Sequence, residues 1–102
     1  MTTIRFKRTG GAMGQELSAE FNLNEMPGDA SQRLHNLINE SKFFSTPVQQ
    51  EVLSRPDEYE YIVTIDAGQS TNTIHTTDTS MPDSLRPLVE ALTELAKAAE
   101  NR

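Results

Sequence analysis

The chain has 102 residues, enough for one hydrophobic core but not two. Fifteen acids against nine bases leave a net charge of −6, which repels phosphate backbones and argues against a nucleic-acid partner. Without cysteine there is neither a disulfide nor a thiolate nucleophile or metal ligand, so packing must hold the fold together.

Ile4 and Phe6 alternate with Arg5 and Lys7, and Leu17, Ala19, Phe21 and Leu23 alternate with Glu16, Ser18, Glu20 and Asn22. Period two on both sides of a glycine-rich stretch predicts a β-hairpin, with Arg5 and Lys7 on one face where facing acids can pair with them. The connection, Thr9-Gly10-Gly11-Ala12-Met13-Gly14, holds three glycines in five residues, so positive-φ positions and a projecting loop are expected. It reads either as a plain hairpin connection or as a recognition loop to which Met13 brings adaptable apolar contact. A phosphate cradle does not fit, because no helix N-terminus follows the glycines.

Met26-Pro27-Gly28 ends the second strand, and Asp29 or Ser31 is placed to cap a helix near 29–41 with the stripe Ala30, Leu34, Leu37 and Ile38. Phe43 and Phe44 are expected to close one edge of the core beneath a loop from Ser45 to Asp57. Tyr59, Tyr61, Val63 and Ile65 share one face of a third strand. Glu58, Glu60, Thr64 and Asp66 take the solvated face, with Ile62 as an apolar exception. Ala67-Gly68-Gln69-Ser70 turns the chain into a fourth strand, Thr71 to Thr77, anchored by Ile74 and polar enough for an edge. Ser80 and Asp83 suggest a capping box for a last helix carrying Leu85, Leu88, Val89, Leu92, Leu95, Ala96 and Ala99, with Pro87 either ending a first turn near Arg86 or kinking the helix there. The expected fold is α+β, in the order β-β-α-β-β-α: a four-stranded antiparallel sheet with two helices packed on one face. A single domain over 1–102 is expected, its last few residues disordered.

No constellation for catalysis emerges. His35 and His75 belong to no metal-binding spacing, so no metal or other cofactor is expected. Asp57, Glu58 and Glu60, like Glu90 and Glu94, read as solvated charges rather than convergent acid and base, and no serine sits in a nucleophile elbow. No catalytic residue is therefore assigned. The start of the chain lacks a secretory signal and no apolar run reaches membrane-spanning length, so a cytoplasmic protein with no membrane partner is expected.

Arg5-Phe6-Lys7-Arg8-Thr9-Gly10-Gly11, then Phe43-Phe44 and Pro56-Asp57-Glu58-Tyr59-Glu60-Tyr61, then Thr73-Ile74, Asp78, Pro82 and Leu85-Arg86-Pro87-Leu88-Val89 form an ordered set across most of the chain. In order and spacing it resembles the emfourin family of protein inhibitors of thermolysin-like metallopeptidases. Thr46 departs from the leucine usual before the proline of the Phe-Phe loop, and Ile74-His75-Thr76-Thr77 is more polar than the family's fourth strand. The resemblance implies reversible inhibition of thermolysin-like, particularly protealysin-like, zinc peptidases by a chain that is a monomer when free and is not an enzyme. Which element binds is not given by the motif; Thr9, Gly10, Gly11, Ala12, Met13 and Gly14 are assigned as the protease-binding loop because that segment is expected to project. The competing surfaces are Ser45 to Asp57 and the outward sheet face around His75. The alternative function is a non-inhibitory adaptor that recruits partners through a sheet edge.

Overall fold

The structure, a computed structural model, describes residues 2–10, 16–45 and 58–100. Gly11 to Gln15, Thr46 to Asp57 and the terminal residues expected to be disordered, Asn101 and Arg102, lie outside the described residues.

The elements follow in the expected order: β1 (Thr3–Gly10), β2 (Leu17–Asn22), α1 (Gly28–Ser41), β3 (Tyr59–Asp66), β4 (Thr71–Thr77) and α2 (Arg86–Glu100). The strands form one antiparallel sheet in the order β2-β1-β3-β4. Its register aligns the apolar alternation of each strand. Ile4 lies opposite Phe21 and Ile65, Phe6 opposite Ala19 and Val63, and Val63 opposite Ile74. Because side chains alternate across a strand, one register slip would send this whole set to solvent. The set instead packs under α2, whose Leu88, Val89, Leu92 and Ala96 are buried, and under Leu34 and Ile38 of α1. Each fully buried leucine, isoleucine, valine or phenylalanine of the set contributes roughly 1.5–3 kcal/mol of apolar burial.

The opposite face carries no helix among the described residues and is lined with charge. Arg5 meets Glu20 at 3.4 Å and Lys7 meets Glu16 at 3.8 Å, the cross-strand pairing expected of these bases. All four side chains are well exposed, so such pairs add less than about 1 kcal/mol each and mainly keep this face soluble. His75 faces outward too, its Nε2 3.5 Å from Glu60 Oε2.

Four local expectations are corrected. Neither Asp29 nor Ser31 caps α1: the cap is Pro27, with no side-chain hydrogen bond, and its carbonyl accepts from Ser31 N at 2.9 Å. Ser80 does not cap α2. Its hydroxyl instead bonds Thr77 Oγ1 at 2.7 Å and accepts from Thr77 N at 3.0 Å, and α2 begins at Arg86. Pro87 then sits in the first turn, where a missing N–H costs nothing. The two phenylalanines also part. Lys42 closes α1 in the left-handed region (φ 55°), and the following turn Phe43–Ser45 buries Phe43 while leaving Phe44 40% exposed. Finally, Glu58, expected on the solvated strand face, is buried.

Leu92 is fully buried on the face of α2 that meets the sheet. Leu92→Ala is expected to lower unfolding free energy by about 3 kcal/mol, read from the urea midpoint. Glu90→Ala, on the exposed side of the same helix, should change it by less than about 0.5 kcal/mol; equal losses would show that α2 does not pack through this stripe.

Candidate functional site

One end of the sheet gathers the chain segments that the sequence singles out. β1 ends there at Gly10, β2 begins there at Leu17, β3 begins at Tyr59, and β4 ends at Thr77. Gly10 pairs with Tyr59 in the β1–β3 ladder, so the chain leaves toward Gly11 beside the point where it enters β3. Of the six residues assigned to the protease-binding loop, Thr9 and Gly10 form the last positions of β1. Gly11, Ala12, Met13 and Gly14 lie outside the described residues, as does most of the competing segment Ser45 to Asp57.

The stem of this loop is tightly constrained. Gly10 has φ +95°, a conformation that disfavours any side chain, and a β-carbon placed on it would stand 2.7 Å from the Glu58 carbonyl oxygen. Glycine is required here for both reasons, so the second strand end can lie directly against the first.

A reciprocal set of hydrogen bonds locks the same end. The Glu58 carboxylate, just before β3, accepts from the backbone N–H and hydroxyl of Thr79, just after β4. Asp78, one residue before Thr79, reaches the other way. Its Oδ2 accepts from Tyr59 N at 3.2 Å and its Oδ1 from the Tyr61 hydroxyl at 2.8 Å. The Arg86 guanidinium, from the first turn of α2, donates to the Asp78 carbonyl at 3.2 Å. Arg8 lies on the same face of β1, its guanidinium carbon 4.1 Å from the centre of the Tyr59 ring, a cation–π contact. Hydrogen bonds to charged groups are worth about 1.5–3 kcal/mol each when partly buried, so this set reinforces the apolar packing of Leu17 and Tyr61 at the same end of the sheet.

This arrangement positions the ends of β3 and β4 against each other. Both carboxylates are occupied by fixed donors, and among the described residues no group of three histidine, aspartate or glutamate side chains is placed to hold a metal ion. No helix among them is long and apolar enough to cross a membrane. Burial, then the hydrogen bond to Asp78 and its negative charge, push the Tyr61 phenol from 10.0 up to about 12, with Arg8 opposing.

The residues that lock this end of the sheet escaped the sequence reading. Glu58, Asp78, Thr79 and Arg86 carry no periodic signal, yet three of them fall inside the ordered set of residues that carried the family resemblance. That set therefore includes part of the lock.

Two outcomes follow from the lock. Gly10→Ala is expected to destabilise by about 2 kcal/mol, whereas Gly28→Ala, with nothing within 4 Å of the added carbon, should be neutral or slightly stabilising; chemical denaturation of both compares them directly. The fold favours protonated Tyr61, so its contribution is complete below pH 10 and decays as pH rises toward 12. Tyr61→Phe should cost about 1 kcal/mol at neutral pH and flatten the loss of stability over that alkaline window, as followed by denaturation at fixed pH values.

No curated protein sequence matches the chain significantly. Among solved structures, it is similar to emfourin from Serratia proteamaculans, named as an M4 family peptidase inhibitor, at 21% identity and a TM-score of 0.49, with 88% of this chain and 87% of that chain covered. The sequence model of the Emfourin family matches residues 6–93. A match of that extent, running from within β1 into α2, establishes the assignment: this chain belongs to the Emfourin family.

Proposed function

We propose that this protein inhibits thermolysin-like zinc metallopeptidases by reversibly occluding the active-site cleft, with the loop from Thr9 to Gly14 as the inserted or covering element. Family membership is the observation that carries the reading, because the family shares its name with the Serratia proteamaculans inhibitor of M4 family peptidases. The catalytic zinc belongs to the peptidase. The inhibitor supplies shape and contact area, and it is not turned over.

The physical case rests on the stem. A thermolysin-like cleft takes extended peptide and favours an apolar side chain after the scissile bond, so a competitor needs a segment that reaches inward and offers such a side chain. Met13 is the large apolar residue of the glycine-rich loop. Its stem is held by Gly10 against Glu58 and by the reciprocal bonds of Glu58 and Asp78. A fixed stem reduces the ordering entropy that binding would otherwise cost.

The direct test is titration of a thermolysin-like peptidase with the purified protein, after preincubation, using a fluorogenic peptide. Activity should vanish near equimolar inhibitor. Full activity retained across several such peptidases would remove the proposal and favour a non-inhibitory adaptor. Met13→Asp is expected to weaken inhibition by about tenfold or more with an unchanged denaturation midpoint; unaltered inhibition would take the loop out of the interface without disproving inhibition itself.

A further inference from the structure

The sheet has two borders, and they differ. Beside β4, the Asn72 side-chain amide donates to the Phe43 carbonyl at 3.0 Å, which ties the turn Phe43–Ser45 against that border. At the other border, β2 pairs only with β1 among the described residues, so one long edge of six residues is open. A cleft of about 770 Å³ runs beside it. Ser18 and Glu20, from the open face of β2, and Ala19 and Phe21, from its helix face, all line this cleft. It therefore follows the strand's edge instead of lying on either face. Met26 and, on α2, Leu95 and Ala98 form its apolar far wall.

An open edge presents unpaired backbone N–H and C=O groups, and an extended segment laid along it completes a ladder while sending alternate side chains to opposite faces. On the helix side, those side chains would meet Phe21, Leu95 and Ala98. On the other, they would meet carboxylates: Glu16, Glu20 and Glu25 line the cleft, and no lysine or arginine does among the described residues. Arg5 and Lys7 offset two of these charges from the neighbouring strand through exposed, weak pairs, whereas Glu25 has no such partner among the described residues. Charge selects the occupant. A second copy laid antiparallel on β2 would set its own glutamates against these, with −6 on each chain, and like charges facing across a strand pair are repulsive. A segment alternating apolar and basic residues satisfies the edge, the wall and the carboxylates together.

We infer that the β2 edge and its cleft form a docking site for an extended segment of alternating apolar and basic residues, added to the sheet as a fifth strand. The docking site would operate whether or not the chain inhibits a peptidase.

The test uses the full chain labelled with nitrogen-15 and a blocked hexapeptide of alternating lysine and valine, at low salt. Saturable shifts of the backbone amides of residues 17–22 and of Ala98 and Ala99 are expected, and the same peptide with glutamate for lysine should give none. Ala98→Trp fills the cleft from an exposed helix position, and Glu25→Lys reverses the uncompensated charge; each should weaken binding by about tenfold. No shifts up to about 1 mM peptide, equal shifts from the acidic peptide, or shifts that map elsewhere would each overturn the inference. A dimer of the protein alone that Ala98→Trp dissolves would assign the edge to a second copy and overturn it as well.

Discussion

The structure depends on the register of β3. Its residues Tyr61, Val63 and Ile65 face the helices, and the strand is paired on both sides, so it alone aligns the apolar set of β1 with that of β4. With no disulfide available, stability comes from closing α2 over this face, and every other feature inherits its position from that closure. The helices leave the reverse face to solvent, where Arg5, Lys7, Glu16 and Glu20 form a balanced polar surface. The two faces therefore do different work: one makes the domain, the other keeps the sheet from stacking on a second one.

The polar lock at the Gly10 end is a second layer of order added to this apolar frame. Segments at the end of a sheet fray unless something holds them, because few apolar neighbours are within reach. Here the residues before β3 and after β4 hold each other, Glu58 to Thr79 and Asp78 to Tyr59 and Tyr61, and Arg86 joins α2 to the same group. Each acid finds donors fixed by backbone that is already in place. The result is a rigid base beneath a hairpin connection rich in glycine.

Much of the fold was legible because its periodicities are local. The alternation of Ile4 with Phe6, of Tyr61 with Val63 and Ile65, and the helical spacing from Leu85 to Ala96 are each readable within a dozen residues. What escaped depends on distance along the chain. Glu58 looks like any solvated acid at the start of a strand, and its burial is decided by Thr79, 21 residues later. Ser80 and Asp83 have capping-box spacing, but a tertiary partner, Thr77, takes the serine. Phe43 and Phe44 are equivalent as letters and separated only by the left-handed residue before them. At the candidate site the glycine-rich connection was visible from turn chemistry, and the family was visible from the ordered set of motifs.

Gly10 leaves the sheet with its α-carbon against the Glu58 carbonyl, and β2 resumes at Leu17, buried in the core. Both anchors belong to the frame, Gly10 in the β1–β3 ladder and Leu17 in the core. Two fixed anchors make the domain a graft acceptor: a foreign recognition peptide inserted between Gly10 and Leu17 would be displayed from a base already stiffened by Glu58 and Asp78.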